Sequence, residues 1–220
     1  MELLEKVKGT IRKHSMLSKG NKVLIALSGG PDSVCLLVLL NKLKDEFNLN
    51  LHALYIDHGL RPDETPKELK FCKNLCDRLD VRLITKSIDV MSYAKEQLLN
   101  KQEAARKLRY KTFDEVSSEI KADRIALGHT ANDQAETLIM RLFRGSGPKG
   151  LSGIPPVRGN VIRPLIEVKR EDVEQFLDLE GLSFIVDSSN LREDYIRNKV
   201  RLSLVPMLKE FNSNIIESLA

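Results

Sequence analysis

The 220-residue sequence has no long hydrophobic run: the longest, Val34–Leu40, is far shorter than the about 20 residues that a membrane-spanning helix needs. The amino terminus alternates charged residues with Leu and Val, so we expect no secretory signal. Cysteine is scarce, and three residues in a chain of this length do not indicate a disulfide framework. These absences favour a cytoplasmic protein that does not associate with membranes.

Acidic residues are missing from one stretch. Between Thr137 and Ile166 there is no Asp or Glu, whereas five basic residues occur there: Arg141, Arg144, Lys149, Arg158 and Arg163. The formal net charge of the whole chain is only +4, so the uneven distribution, more than the sum, points to an anionic ligand or nucleic acid. The alternative interpretation is a solvated basic surface.

Hydrophobic periodicity predicts a repeating order of strands and helices. The predicted strands are Lys22–Leu27, Leu49–Ile56, Val81–Thr85, Arg124–Leu127 and Ser183–Val186. The predicted helices are Asp32–Phe47, Thr65–Leu79, about Tyr93 to Ile120, Asn132–Phe143 and Arg170–Glu180. This order predicts a Rossmann-like α/β fold, in which a parallel five-stranded sheet has helices on both faces and a short helical C-terminal segment follows.

Polar loops follow four of the predicted strands. They are Ser28–Ser33, Asp57–Asp63, Gly128–Asp133 and Asp187–Asn190. Because the carboxyl ends of parallel strands share one edge of the sheet, we expect these loops to form a single ligand-binding cleft.

The loop SGGPDS lies between a hydrophobic strand and a helix, which is the setting of a phosphate-binding loop. Gly29 and Gly30 allow backbone N–H groups to approach an anion closely, and the helix start adds partial positive charge. The hydroxyls of Ser28 and Ser33 can donate to phosphate oxygens. Asp32 would repel a bare phosphate, so it suggests Mg²⁺ or a cationic group in the site. The alternative is a tight turn with a capped helix start.

Two other nucleotide motifs do not fit. The Walker A pattern G-x-x-x-x-G-K-[ST] does not occur. Gly145–Gly150 matches G-x-G-x-x-G, but it follows a predicted helix instead of a strand. We therefore interpret Gly145 as a helix stop.

SGGPDS resembles the pyrophosphate loop of the N-type ATP pyrophosphatases, the PP-loop family, which cleave ATP between its α- and β-phosphates. Further motifs resemble the tRNA(Ile)-lysidine synthetases within that family, and together they span residues of about 20 to 210. They are IDHGLR (Ile56–Arg61), EAAR (Glu103–Arg106) with Arg109-Tyr110, HTANDQAET (His129–Thr137), RGSG (Arg144–Gly147), Gly150-Leu151, RPL (Arg163–Leu165), DSSN (Asp187–Asn190), and Arg197-Asn198 with Arg201.

The resemblance implies an adenine nucleotide alpha hydrolase-like fold and a carbon–nitrogen ligase. ATP, with Mg²⁺, would adenylate C2 of the wobble cytidine in a tRNA-Ile with a CAU anticodon and release pyrophosphate. The ε-amine of free L-lysine would then displace AMP and leave lysidine. Members of the family often form dimers, so a homodimer is a possible assembly.

The resemblance also assigns roles to the matching positions. The implied catalytic residues are Asp32, Arg109, His129, Asp133 and Arg201, of which Asp32, Arg109, Asp133 and Arg201 would also bind lysine. The implied ATP-binding residues are Ala26, Ser28, Gly29, Gly30, Asp32, Ser33, Ile56, His58 and Gly128. The acid-free basic stretch supplies the predicted tRNA-binding residues Arg141, Arg144, Lys149 and Arg163, and the charge of Asp32 beside a phosphate makes it the predicted Mg²⁺ ligand. His129 or Asp133 is a hypothetical general base for the attacking amine.

Several of these motifs have purely structural interpretations as well. Asp57 and His58 suit an Asx turn with a surface histidine. Arg106 suits an ion pair with Glu103 or Asp114 on a helix surface. Asp187–Asn190 suits a capping turn.

The cysteines offer no metal site. Cys72 and Cys76 would share a helix face, but no further Cys or His is spaced to complete a zinc site. We expect Cys35 in the core.

The sequence departs from the family pattern after the fourth predicted strand. Thr130 and Asn132 stand where a histidine and an aspartate are common, so Asp133 has to carry the acidic role. The sequence also ends at Ala220, where relatives usually continue into tRNA-binding domains. We expect residues 1–210 to form the PP-loop catalytic domain, and 211–220 to begin a C-terminal helix or linker, with the family's C-terminal domains absent.

Two alternative functions remain at this point. One is another adenylating tRNA-modification enzyme of the same fold, such as a thiolase, although the paired Cys-x-x-Cys motifs of cytidine thiolases are missing. The other is a non-catalytic nucleotide- or tRNA-binding module. Release of pyrophosphate distinguishes the second from an enzyme.

Overall fold

The computed structural model describes residues 2–147, 151–185 and 196–220. The first four predicted strands are present in it and run parallel to one another. They are β1 (Lys22–Ala26), β2 (Asn50–Asp57), β3 (Arg82–Ser87) and β4 (Arg124–Ala126). β1 lies between β2 and β4, with Val23 opposite Leu51 on one side and Arg124 on the other, and β3 pairs with β2. Val23, Leu24 and Ile25 are fully buried, as expected of a continuously hydrophobic strand covered on both faces.

The chain divides into two compact units. The sheet unit comprises Leu17–Gly29 and Leu36–Leu127, and the helical unit comprises Met1–Met16, Gly30–Cys35 and Gly128–Ala220. The helix α2 (Pro31–Lys42) contributes its first residues to the helical unit and the remainder to the sheet unit.

The sheet unit surrounds its strands with four further helices. They are α3 (Lys44–Phe47), α4 (Thr65–Arg78), α5 (Val90–Glu96) and α6 (Lys101–Ile120). Cys72 and Cys76 of α4 are buried, and burial raises the pKa of these thiols to about 12 and about 11. Both thiols are therefore uncharged at neutral pH, as expected of core cysteines.

The long helix predicted from about Tyr93 to Ile120 is wrong in one respect, because it consists of α5 and α6. Between them Leu98 adopts a left-handed conformation with φ of 52°. The side chain of Asn100 accepts a hydrogen bond from the Glu103 backbone N–H at 3.0 Å and begins α6. An Asn at this position competes with helix continuation, since its side chain satisfies a backbone donor that a longer helix would use.

Besides the start of α2, the described part of the helical unit includes seven further helices and two short strands, one of the helices being a π-helical segment. The α-helices and strands are α1 (Glu2–Lys13), α7 (Ala131–Phe143), β5 (Val157–Arg158), β6 (Val161–Ile162), α8 (Arg170–Leu179), α9 (Ile196–Lys199), α10 (Val205–Phe211) and α11 (Ile215–Leu219). Its core includes Ala131, Ala135 and Ile139 of α7, which pack with Val205 and Ile216 from the C-terminal helices.

A π-helical segment, Val200–Leu204, joins α9 to α10. The Val205 backbone N–H donates to the Val200 carbonyl, a five-residue step instead of the four-residue step of an α-helix. Val200 and Val205 both lie in the core against α7.

Glu167 anchors α1 within the helical unit. Its carboxylate accepts hydrogen bonds from Lys13 Nζ (2.7 Å), Thr10 Oγ1 (3.0 Å) and His14 Nε2 (3.1 Å). Burial alone would raise the pKa of Glu167, but these donors outweigh it and lower the pKa to about 2. The carboxylate is therefore charged throughout the physiological pH range.

The predicted fifth strand, Ser183–Val186, is also wrong over its described part, since residues 183–185 form no strand. Instead, β5 and β6 pair antiparallel, with Val157 opposite Ile162 and Arg158 opposite Val161. Gly159 has a φ of 61° at the first position of the connecting turn, which is the backbone that a two-residue hairpin turn requires. The predicted α/β class with parallel strands is confirmed.

Within the described ranges, none of the helices has the length and hydrophobicity required for a membrane span.

Candidate active site

The start of α2 carries the phosphate-loop motif. Gly29 has a φ of 83°, which glycine adopts without strain, and Pro31 is the first residue of the helix. A Cβ on Gly128 would lie 3.0 Å from the Asp32 carbonyl oxygen and 3.3 Å from the Ser33 nitrogen. Gly128, predicted to bind ATP, therefore allows two backbone segments of the helical unit to approach each other closely.

Asp32 lies in the first turn of α2 with an incompletely satisfied carboxylate. Its Oδ2 atom accepts from Arg170 Nη2 at 3.4 Å, whereas Oδ1 is buried and has no hydrogen-bond partner among the described residues. Burial raises the pKa of Asp32 to about 6; Arg170 opposes this rise and the nearby Asp133 adds to it. A buried carboxylate oxygen without a donor is suited to binding a cation.

The fit of Asp32 to Mg²⁺ depends on this oxygen. No group of three or more His, Cys, Asp or Glu side chains in the described part of the chain could hold a metal ion. Mg²⁺ commonly binds to one or two carboxylates together with substrate phosphates and water. Asp32 therefore fits as one ligand of a nucleotide-bound Mg²⁺.

Helix α7 begins with a capping interaction between Thr130 and Asp133. Asp133 Oδ2 accepts from the Thr130 backbone N–H (2.8 Å) and from Thr130 Oγ1 (3.1 Å). Burial alone would raise the pKa of Asp133, but the charge of Arg197 and the hydrogen bond from the Thr130 N–H are among the interactions that outweigh it and hold this pKa below its ordinary value. Thr130, a departure from the family pattern, thus stabilises the acidic residue that follows it.

Glu136 joins Asp133 in binding two arginines, and the sequence analysis did not identify it. Arg201 donates to both Glu136 oxygens, from Nε at 2.6 Å and from Nη2 at 3.0 Å. Arg197 donates from Nε to Glu136 and from Nη2 to Asp133, both at 2.8 Å. Only 2% of the Glu136 side chain is exposed. Asp133 and Glu136 are three residues apart, and Arg197 and Arg201 are four residues apart, so each pair can lie on one face of a helix. This spacing is the sequence signal by which the cluster could have been predicted.

His129 and Arg163 form a hydrogen bond in the same unit. Arg163 Nε donates to His129 Nδ1 at 3.3 Å, and Arg163 Nη1 donates to the Pro155 carbonyl at 2.6 Å. With Nδ1 as acceptor, the neutral ring carries its proton on Nε2. His129 can then donate a hydrogen bond but offers no free lone pair, so this geometry does not fit the hypothesis of a general base.

Arg163 was predicted to bind tRNA, and its position contradicts that role. Only 2% of the residue is exposed, so its guanidinium is not accessible to a phosphate backbone. Arg141 is half-buried and donates to the Gly153 carbonyl at 2.9 Å, whereas Arg144 is exposed. Lys149 and the loop Asp187–Asn190 lie outside the described residues.

Asn132 is the second departure from the family pattern, and it has a structural role. Its Oδ1 atom accepts from the Arg170 backbone N–H at 2.9 Å and thereby satisfies a donor at the start of α8. This contact holds Arg170, which the sequence analysis did not single out, beside Asp32.

Of the remaining predicted residues, Gly30 and Ser33 belong to the helical unit, and the others belong to the sheet unit. Ala26 ends β1, Ser28 and Gly29 follow it, Ile56 and His58 lie at the end of β2, and Arg109 lies in α6. His58 Nδ1 is buried without a hydrogen-bond partner in the described structure. Burial and the charge of Arg109 lower the pKa of His58 to about 4, so the ring is neutral at pH 7 and available to a ligand.

Two structural interpretations are settled in the sheet unit. Asp57 Oδ1 accepts from the Gly59 N–H at 2.8 Å, which confirms the Asx turn. Arg106 lies over the Tyr110 ring, 5.1 Å from its centroid, so the expected pairing with Glu103 or Asp114 is replaced by a cation–π contact.

Comparison with known proteins gives consistent results. A family model described as a PP-loop domain matches residues 3–208. The tRNA(Ile)-lysidine synthase of Clostridioides difficile (strain 630) is 45% identical over 219 residues, which cover 99% of this chain and 47% of that protein. The enzyme of the same name from Clostridium acetobutylicum is 43% identical over 219 residues, covering 99% and 48%. The chain thus spans about half the length of these curated relatives.

A solved structure shows the same fold. The U34-tRNA thiolase NcsA from Methanococcus maripaludis, with its [4Fe-4S] cluster, superposes with a TM-score of 0.79 at 21% identity. The match covers 99% of this chain and 77% of the thiolase.

Proposed function

The chain belongs to the PP-loop family, and from this membership we propose that it catalyses lysidine formation on tRNA-Ile with a CAU anticodon. Support comes from the identity of more than 40% to the two synthases over nearly the whole chain. The structural observation that carries the proposal is the buried, unpartnered Oδ1 of Asp32 at the helix start that follows the glycine turn.

In the proposed first step the C2 carbonyl oxygen of the wobble cytidine attacks the α-phosphorus of ATP, and pyrophosphate leaves. Helix start α2 would bind the phosphates through backbone N–H groups. Mg²⁺, held by Asp32, would offset negative charge on the phosphates. His129, as an Nε2–H donor, is suited to hydrogen-bonding an oxygen that gains negative charge.

In the proposed second step the ε-amine of lysine attacks C2, the C2–O bond breaks, AMP leaves with that oxygen, and the nitrogen loses a proton. Arg201 is oriented by two hydrogen bonds to Glu136 and is proposed to face the α-carboxylate of lysine. Asp133 is charged and can face an ammonium group. Arg109 and His58 of the sheet unit stay predicted substrate-binding residues.

We also propose that residues 1–210 are the catalytic domain, which the family match to residue 208 supports. Residues 211–220 include α11, whose Ile216 packs in the core of the helical unit. Arg144 is the described tRNA-contact candidate that stays exposed. A cytoplasmic location and a homodimer remain proposals; sedimentation at several concentrations tests the latter.

Thiolase chemistry is not favoured. The chain has three cysteines, all are buried, and burial raises the pKa of each thiol. Inaccessible, protonated thiols are poor nucleophiles and poor metal ligands.

The test is ATP-dependent incorporation of radiolabelled lysine into a tRNA-Ile transcript with a CAU anticodon, with initiator tRNA-Met as the control. Incorporation into the first transcript alone supports the proposal. Pyrophosphate release without incorporation would show adenylation that lacks effective tRNA binding. Absence of both signals at high enzyme concentration contradicts the proposal.

A further inference from the structure

Arg170 is the side chain that contacts Asp32, and its backbone is fixed. It is the first residue of α8, and its N–H donates to Asn132 Oδ1 at 2.9 Å. Asn132 is itself the second residue of α7. The contact with Asn132 at the start of α7 therefore fixes the backbone of Arg170. From this position the Arg170 side chain reaches Asp32 in the first turn of α2.

The ion pair between Arg170 and Asp32 is weaker in geometry than the arginine contacts around Glu136. It consists of one contact of 3.4 Å, whereas Arg201 makes two bonds of 3.0 Å or less to Glu136. Both partners remain partly accessible, with 21% of the Arg170 side chain and 22% of the Asp32 side chain exposed. The remaining guanidinium donors of Arg170 bind no side chain in the described structure.

A phosphate that approaches the start of α2 meets a carboxylate of the same sign. Asp32 lies in the first turn, and Asp133 lies near enough to raise its pKa further. Of the arginines in this unit, Arg197 and Arg201 are bound to Glu136. Arg170 has one long contact and a planar group that matches a phosphate in two parallel hydrogen bonds.

We propose that Arg170 binds a phosphate of the nucleotide, and that Asp32 holds its guanidinium in place until the nucleotide arrives. This inference rests on the proposed function, since it assumes that ATP binds at α2. A phosphate-binding role for Arg170 can be distinguished from a purely structural role in connecting two helices. A connecting residue would affect folding and all ligands, whereas a phosphate ligand affects only ligands that carry phosphate.

The experiment compares wild type with R170Q and R170K, and with R82Q as the matched control, because Arg82 is an exposed residue of β3 remote in sequence from the site motifs. Calorimetry measures the affinity of each for α,β-methylene-ATP and for adenosine, without tRNA or lysine. R170Q is expected to lose about 10- to 100-fold in affinity for the ATP analogue, the value of a hydrogen bond to a charged group. Its affinity for adenosine should stay within about 2-fold of wild type.

R170K is expected to lose less than R170Q, because a point charge replaces part of the guanidinium contact, and R82Q should match wild type. Unchanged ATP-analogue binding in R170Q would overturn the inference alone. Equal losses for the analogue and for adenosine, in R170K as well, would also overturn it and indicate a structural role. If wild type binds no ATP analogue, the proposed function fails first and the inference with it.

Discussion

Arg163 Nε and His129 Nδ1 form a hydrogen bond of 3.3 Å between a buried guanidinium and an imidazole. This contact determines which ring nitrogen carries the proton. It also joins two residues with separate predicted roles, one in tRNA binding and one in proton transfer. Arg163 orients the ring, and His129 presents Nε2–H.

If His129 acts as a donor, replacement by Gln should preserve more activity than replacement by Ala. The Gln amide can place an N–H near the position of Nε2, so we expect H129A to lower kcat by about 100-fold and H129Q by about 10-fold or less. The affinity for the ATP analogue should change little in either variant. Single-turnover lysine incorporation is the measurement. Equal losses in both variants would indicate that the ring accepts a proton instead.

Asp32→Asn should stabilise the free protein while abolishing incorporation. The pKa of Asp32 is about 6 in the folded chain and 3.8 as its ordinary value. Between these pH values the folded chain holds a proton that the unfolded chain has released, so the free energy of unfolding falls as pH rises. We expect the free energy of unfolding of D32N to exceed that of wild type by about 3 kcal/mol at pH 7.5 and to match it below about pH 4.

Urea unfolding between pH 3.5 and 8, without nucleotide or Mg²⁺, measures this difference. The exposed Asp45 supplies the control D45N, which should follow wild type at every pH. A D32N variant that is less stable than wild type at pH 7.5 would show that the contact with Arg170 matters more than burial.

Glu136 should be the most sensitive carboxylate of the helical unit. Its removal leaves Arg197 and Arg201 without their shared acceptor, so we expect E136A to lower the free energy of unfolding by about 3 kcal/mol and to abolish activity. E136Q should lose less stability, because the amide oxygen still accepts one hydrogen bond. The control is E119Q, since Glu119 pairs with Lys86 on the surface, and should cost under about 0.5 kcal/mol. Similar losses in E136A and E119Q would contradict the prediction.

Gly128→Ala should disturb the start of α2. The added methyl group would lie 3.0 Å from the Asp32 carbonyl oxygen, and the neighbouring backbone cannot move as easily as a side chain. We expect a loss of about 1 to 3 kcal/mol in stability together with weaker binding of the ATP analogue. Gly9→Ala in α1 has open space and should stabilise by about 0.5 to 1 kcal/mol. Urea denaturation of both variants measures these opposite effects on stability. A G128A variant that is more stable than wild type would contradict the prediction.

The sequence allowed the prediction of features that depend on local patterns. The buried strand β1 and the helix α7 follow from hydrophobic periodicity, whereas the capping pair of Thr130 and Asp133 became visible only in the structure. The phosphate-loop motif led to Asp32 and Gly29 because glycine and a helix start have direct conformational consequences. These elements need no knowledge of distant residues.

What escaped prediction depends on contacts between distant segments. Arg163 is basic and therefore looked exposed, but His129 and the Pro155 carbonyl satisfy its donors inside the protein. Arg170 reaches Asp32 across 138 residues of sequence. The segment Ser183–Val186 is a short hydrophobic run typical of a strand, but such a run does not specify a partner strand. The hairpin of β5 and β6 depends instead on the local turn at Gly159.

The π-helical segment gives the C-terminal region one residue more than a continuous α-helix would hold between the same two flanking helices. Because the five-residue hydrogen-bond step absorbs this residue, deleting one residue other than Arg201 there would leave an α-helical turn and would not rotate α10 relative to α9. Val205 would then keep its place in the core with Ile139 and Ile216. A single-codon deletion within α10 would instead rotate the residues that follow it by about 100° and move Ile216 out of that core.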